Sequence, residues 1–327
     1  MNLRDIGEGA LIRKIRERFA LPPLPPPDRS VPEARRVKAG EVHAGIGDDA
    51  AVFDLPPGYS AVFCSDLLAE NTHFLRNLHP PDSVGYKSIA ANVSDVAAMG
   101  GIPMHFLISL AAPGDLDFSW IEGFLDGVER ACRDFEISLL GGDSSSAGSI
   151  FVDVSMIGRV RSSQAIRRSG AKSGDAVYVT GRLGSSALGL RLLKTGTLDD
   201  PAVRRHLYPE PRHRIGPAVA DQAHAMIDIS DGLSTDLAHI VAESKVCARI
   251  YKDRLPAAPG VQEHDVLHGG EEYELIIIAN DLPAMIEGIP ITCVGEIIDS
   301  DLDNQVFLID GTQESVLLPS GWQHFSG

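Results

Sequence analysis

Cysteine is scarce in this chain. Cys64, Cys132, Cys247 and Cys293 are the four in 327 residues, widely spaced and with no CxxC pair. That pattern excludes a disulfide framework and a thiolate zinc site, and fits reduced, mostly buried thiols. Positive charge is also short, with 29 Lys and Arg against 45 Asp and Glu, a formal net charge of -16. No basic stripe offsets it, so a nucleic-acid backbone is excluded as the main partner. No apolar run approaches the ~20 residues of a membrane span, and the opening MNLRDIGEGALIRKIRERF has no apolar signal core, so the expectation is a cytoplasmic protein with no membrane partner. GxGxxG, GxxxxGK[ST] and the protein-kinase signatures are missing too, which removes the Rossmann, Walker and protein-kinase readings.

What the chain does contain is acid beside glycine. Residues 88–100, SIAANVSDVAAMG, read as a core helix that carries Asn92 and Asp95 on one face, and inward polar side chains need partners. Four further stretches offer them: GIGDD at 45–49, CSD at 64–66, GGDSS at 141–145 and DISDG at 228–232. One Asp beside Gly ordinarily marks a turn. Five, most of them at the ends of apolar segments, read as one site, and clustered carboxylates at neutral pH call for cations. An all-oxygen donor set favours Mg2+ over Zn2+, and Mg2+ held by carboxylates commonly works with phosphates, so a nucleotide site is the natural reading.

Taken in order, residues 8–19 form an amphipathic helix, followed by a proline-rich surface loop at 22–32. Strands at 50–53 and 60–64 are expected to be antiparallel neighbours across the turn Pro56-Pro57-Gly58, the second ending at Ser65-Asp66. Helices at 82–99 and 119–135 flank a strand at 105–111; Trp120, Phe124 and Val128 make the apolar stripe of the second helix, and Asp126 lies off it. A short strand at 137–140 runs into GGDSS and another covers 151–159. A polar connector at 161–175 carries Arg167 and Arg168, a solvated pair or a phosphate contact. The expected division is therefore 1–160 and 161–327.

In the second part, a strand at 176–180, the glycine turn at 181–186 and a helix at 187–194 suggest a backbone anion site at the helix start. Residues 213–225 read as helix, DISDG as a ligand loop or a cap for the helix at 233–243, and HGGEEYE at 268–274 as a second ligand-facing edge before an apolar strand. Trp322 is either an anchor or a stacking wall for a flat ligand.

GIGDDAAV, SDLLAENTHF, NVSDVAAMG, LLGGDSSS, RRSGAKSGDAVYVTG, IDISDGLSTDLAHI, HGGEEYEL and GWQHF, in this order and spacing, resemble the thiamine-monophosphate kinase family of the aminoimidazole ribonucleotide synthetase-like superfamily, over about residues 5 to 326. The resemblance implies an α/β (α+β) fold of two domains, with an N-terminal mixed sheet that pairs across a homodimer and a C-terminal α/β domain. It implies ATP-dependent phosphorylation of thiamine monophosphate with Mg2+. The implied metal ligands are Asp49, Asp66, Asp95, Asp143 and Asp228, which carry the catalysis, with Asp231 near a further ion and Cys64 and Ser65 adjoining. The implied nucleotide contacts are Asp126, Gly142, Asp143, Arg168 and Ser230, and the implied thiamine-phosphate contacts are His73, Glu271 and Trp322. Cys64 stands where the family usually has Ser or Thr, so a contact there would use its carbonyl. Leu67 replaces a common Thr, and Ser144 keeps the hydroxyl of one. The alternatives are another ATP-dependent enzyme of the superfamily or a non-catalytic nucleotide- or metal-binding protein. A selenide enzyme is disfavoured by the lack of any Cys before Cys64, and a hydrogenase-maturation role by the lack of a cysteine in the tail.

Overall fold

A computed structural model describes residues 2–19, 42–46, 50–299 and 304–324. The chain divides into two compact units, Met1–Val93 with Pro103–Ser163, and Ser94–Ile102 with Gln164–Gly327. The proline-rich segment and Asp49 lie outside the described residues.

The first unit opens with helices α1 (Leu3–Ile6) and α2 (Glu8–Arg18), then a ribbon of β1 (Val42–Ala44) and β2 (Val52–Phe53). Here the expected pairing fails. β2 pairs with β1, while β3 (Tyr59–Ala69) runs past Ser65 and Asp66 and pairs along its whole length with β6 (Phe151–Arg161), an equally long partner that a two-residue strand cannot replace. Helix α3 (Pro81–Ala98), β4 (Ile102–Ala112), α4 (Phe118–Phe135) and β5 (Ser138–Ser146) complete the set, and the sheet order is β3-β6-β4-β5. GGDSS is therefore strand, not loop. A Cβ on Gly142 would fall 1.8 Å from the Ile108 carbonyl oxygen, so only glycine lets β5 lie this close to its parallel neighbour β4. Alternate residues of β6, Val152, Val154, Met156 and Val160, are buried; opposite them the other face carries exposed Phe63 and Leu67 of β3. The expected stripe of α4, Trp120, Phe124 and Val128, is buried, and Asp117 caps the helix by accepting from Ser119 N at 2.8 Å.

The second unit is built on an eight-stranded sheet: β7 (Ala176–Thr180), β8 (Ala223–Asp228), β9 (Cys247–Tyr251), β10 (Leu275–Ala279), β11 (Met285–Ile286), β12 (Ile289–Ile298), β13 (Val306–Asp310) and β14 (Gln313–Val316), in the order β14-β13-β9-β12-β7-β10-β8 with β11 on β12. β10, LIIIA, lies between β7 and the edge strand β8 and is buried on both faces, which explains its unbroken apolar run: Ile276 and Ile278 meet α8 (Leu233–Ser244) through Leu237 and Ile240, and Leu275 and Ile277 meet Ile215 and Val219. The remaining helices are α5 (Ser185–Lys194), α6 (Pro201–Leu207), α7 (Ile215–Val219) and α9 (Glu263–His268). Residues 213–225, expected as one helix, split into α7 and the start of β8, because Ala223 and Ala225 are claimed by pairing with β10.

α3 and α4 touch through glycine. A Cβ on Gly127 would sit 1.9 Å from the Asp82 carbonyl oxygen, and one on Gly85 would sit 2.1 Å from that of Phe124. Gly127→Ala should lower stability by about 1–3 kcal/mol despite the better helix propensity of alanine. A denaturant midpoint equal to or above that of the wild type would show that the helices can move apart without cost.

Candidate active site

The site is best defined in the second unit, where β8 ends in Asp228. Oδ2 of Asp236, in the first turn of α8, accepts from the backbone N–H groups of Ser230, Asp231 and Gly232 at 3.1, 3.1 and 3.0 Å. DISDG is thus a loop wrapped around a carboxylate; neither Asp228 nor Asp231 caps α8, whose N-cap Gly232 makes no side-chain bond. The pairing of β8 with β10 continues beyond both strands: Ile229 N donates to Glu274 O at 2.7 Å, Tyr273 N to Ile229 O at 2.9 Å and Glu271 N to Ser230 O at 2.7 Å. Asp231 O accepts from Trp322 N at 3.0 Å, and Thr235 Oγ1 from Gly321 N at 3.1 Å. Asp228, Ser230, Asp231, Glu271 and Trp322, drawn from three distant stretches, are therefore neighbours. Ser94 Oγ donates to Asp228 Oδ2 at 2.7 Å, which brings the end of α3, with half-buried Asp95, to the same carboxylate.

The electrostatics of this loop favour a cation. Burial, then the charges of Asp228 and Asp231, hold the Asp236 carboxyl well above the usual range. Burial also raises Asp231, against the lowering charges of His239, His324 and Arg168, so Arg168 acts on this loop.

In the first unit, Asp66 and Asp143 lie on β3 and β5, the opposite edges of the four-stranded sheet. Ser65 Oγ donates to Asp153 Oδ1 at 2.9 Å. The thiol of Cys64 faces Asn92, 3.5 Å from Oδ1 and 3.6 Å from O, and Asn92 Nδ2 donates to Ser88 O at 3.1 Å, so the buried Asn92 is satisfied by the protein itself. His73 Nδ1 accepts from Ala69 N at 3.0 Å, which leaves the ring proton on Nε2. Gly142 and Asp143 line a mostly apolar cavity of about 750 Å³ bounded also by Leu11 and Ile15 of α2 and by Phe124 of α4. Asp126 is not in that lining and is paired with Arg18 of α2, which also bonds Glu129 at 2.7 Å. Among the described residues no three His, Cys, Asp or Glu side chains converge as a preformed metal cage.

The anion position expected at the start of α5 is taken by the protein. Glu272 Oε1 accepts from Ser186 N at 2.8 Å, and Gly184 N–H adds to it. Burial pushes this carboxyl up to about 8, and its Oε2 has no hydrogen-bond partner among the described residues. Next to it Glu274, 1% exposed, accepts from Thr180 Oγ1 at 2.6 Å, Arg205 at 2.8 Å and Arg212 Nε at 2.6 Å. Sequence reasoning missed Glu272, Glu274, Asp236 and the two arginines. The one available signal was that acidic residues stood inside apolar segments.

Two family descriptions match: AIR synthase related protein, N-terminal domain, over residues 47–160, and its C-terminal domain over residues 172–289. The thiamine-monophosphate kinase of Escherichia coli O157:H7 is 37% identical over 308 residues, 88% of this chain and 93% of that protein. The crystal structure of thiamine-monophosphate kinase from Stenotrophomonas maltophilia K279a superposes with a TM-score of 0.75 at 32% identity, covering 94% of this chain and 97% of that one. AaThiL complexed with AMPPCP and TMP gives 0.74 at 31% identity, with 99% of each chain covered.

A carboxyl raised from 4.5 to about 8 by folding contributes stability that is complete below pH 4.5 and is lost as pH rises through 8. Glu272→Gln should therefore gain on the wild type between pH 5 and pH 8, by up to ~1.4 kcal/mol per pH unit, and level off above. Chemical denaturation at pH 5, 7 and 9 checks this. A stability difference independent of pH would mean that Glu272 is ionised throughout.

Proposed function

The chain belongs to the thiamine-monophosphate kinase family, and from that premise we propose that it transfers the γ-phosphoryl group of ATP directly, in line, to a phosphate oxygen of thiamine monophosphate, giving thiamine diphosphate and ADP. The observation that carries the reading is the lacing of DISDG to GGEEYE and to Trp322, which gathers acidic, hydrogen-bonding and aromatic groups at one edge of the sheet. A phosphate monoester has a second pKa of about 6, so the acceptor is already largely ionised at neutral pH and needs little help from a base. The difficulty is repulsion between two polyanions. Mg2+, when bound, supplies the positive charge that offsets it.

The residues fit that ion. Their donors are oxygen, and the charges of Asp228 and Asp231 add to burial in raising Asp236, negative charge that a cation would relieve. Asp228, Asp231 and Asp95 would hold Mg2+ in the second unit, Asp66 and Asp143 in the first, with Asp49 and the oxygens at Cys64 and Ser65 adjoining. The turn of the Cys64 thiol toward Asn92 supports contact through the carbonyl only.

ATP would lie against Gly142, Asp143, Arg168 and Ser230. The apolar cavity beside Gly142 suits a flat base, and a nucleotide contact at Asp126 would have to share it with Arg18. The thiazolium and aminopyrimidine of the acceptor suit the half-exposed face of Trp322, the carboxylate of Glu271 and the Nε2 proton of His73. Homodimerisation through the N-terminal sheet is supported by the outward Phe63 (65% exposed), Leu67 (49%) and Leu107 (41%), an apolar face unusual for a monomer. No described helix is long and apolar enough to cross a membrane.

An ADP-release assay should show turnover with thiamine monophosphate, none with unphosphorylated thiamine, and loss on chelation that Mg2+ restores. Asp95→Asn should cut kcat by roughly 10²–10³ with the melting temperature nearly unchanged. Near-normal turnover of this variant at ordinary Mg2+ would remove Asp95 from the metal site.

A further inference from the structure

The Glu271 carboxylate is held from behind by a side chain that no motif singled out. Three residues of the GGEEYE stretch rest on the hairpin of α5 and α6: Glu272 on the start of α5 and, through its carbonyl, on Arg205; Glu274 on Arg205; and Glu271 on His206. His206 is 1% exposed. Its Nδ1 lies 3.0 Å from Ser186 Oγ and 3.5 Å from Glu271 Oε2. With a proton on Nδ1 the ring N–H is shared between the serine oxygen at 3.0 Å and the Glu271 carboxylate at 3.5 Å, an ion-pair distance, and the carboxylate can only accept. The ring has little freedom to leave: a Cβ on Gly189 would meet the Ala202 carbonyl oxygen at 2.1 Å and His206 Cβ at 2.9 Å, so α5 and α6 are already in closest contact there. Glu271 is itself held at φ 58, left-handed for a residue with a side chain, while its N–H is spent on Ser230 O. The backbone fixes where the side chain leaves the loop. The imidazole fixes where its carboxylate ends.

We propose that His206, with Ser186 behind it, is a positioning residue for the acceptor: it orients the carboxylate of Glu271 that receives the thiamine moiety, and so sets acceptor affinity without touching substrate. The inference rests on the reading of Glu271 as an acceptor contact. It makes α5 and α6, remote in sequence from every metal-ligand candidate, determinants of acceptor specificity and leaves the nucleotide side unaffected.

The test is a double-mutant cycle on the full-length enzyme. His206→Phe keeps a ring and removes the donor, His206→Gln restores a donor, and Glu271→Ala removes the group acted on. His206→Phe is expected to raise KM for thiamine monophosphate ~10-fold with KM for ATP unchanged, and His206→Gln to recover to within about threefold. In the Glu271→Ala background His206→Phe should add nothing further. An unchanged acceptor KM in His206→Phe, equal rises for both substrates, or the same fold-rise with and without Glu271 would each overturn the proposal, the last two by revealing a general structural role. If Glu271→Ala alone leaves the acceptor KM unchanged, the reading of Glu271 fails and this inference with it. A silent His206→Phe beside a damaging Glu271→Ala sinks only the inference. Should His206→Phe fail to fold, His206→Ala, which also removes the donor, takes its place in the same cycle with the same expected outcomes.

Discussion

One carboxylate oxygen, Oδ2 of Asp236, accepts three consecutive backbone amides, and the shape of the site follows from it. Bonds of this charge-assisted kind are each worth about 1.5–3 kcal/mol, enough to hold residues 230–232 curled around one point. Because the amides of Ser230 and Asp231 turn inward, their carbonyls turn outward, and those carbonyls take Glu271 N and Trp322 N. The two other substrate-side stretches are thus hung on the back of the same loop. The arrangement has a cost that falls on Asp236, buried beside Asp228 and Asp231 and raised by both. A cation held by those neighbours would favour the ionised form of Asp236 and with it the loop's shape.

A second carboxylate, Glu274, fixes the other side. It sits at the base of GGEEYE with Thr180, Arg205 and Arg212 on its oxygens, and burial favours such a group only while its partners stay. Glu272 differs: it has backbone donors but no cation bonded to its oxygens, and it is raised to about 8. Adjacent glutamates of one motif therefore have three separate uses. Glu271 faces outward, Glu272 is a buried brace raised to about 8, and Glu274 is the anchor of an arginine pair.

Much of this could be read from residue order. The apolar period gave α2, α4, α8 and the apolar β10 nearly to the residue, and both DISDG and GGEEYE read as ligand-facing edges, although nothing in their order showed that they are laced to each other. The failures share a cause. β3 was cut short at Ser65-Asp66 because polar residues look like loop, yet a strand with one open face carries them without penalty. GGDSS looked like a turn, although its glycine serves a close strand contact. The helix-start anion site was legible as chemistry, but its occupant, Glu272, lies 86 residues from Ser186, and no local pattern encodes such a pairing.

Strand order bears on how the reaction is divided. Asp66 and Asp143 come from stretches that look equivalent in sequence, yet β3-β6-β4-β5 puts them on opposite edges. Each edge strand has one side of its backbone unpaired by this sheet, and each carries its carboxylate next to hydroxyls, Ser65 on one and Ser144 on the other. Two such edges would suit a reaction in which the two phosphoryl groups to be joined arrive with separate countercharges. Asp228 and Asp231, three residues apart around the Asp236 hub, repeat that logic at shorter range. The net charge of -16 is then not spread without purpose: part of it is concentrated where bound cations must cancel it before two polyanions can meet.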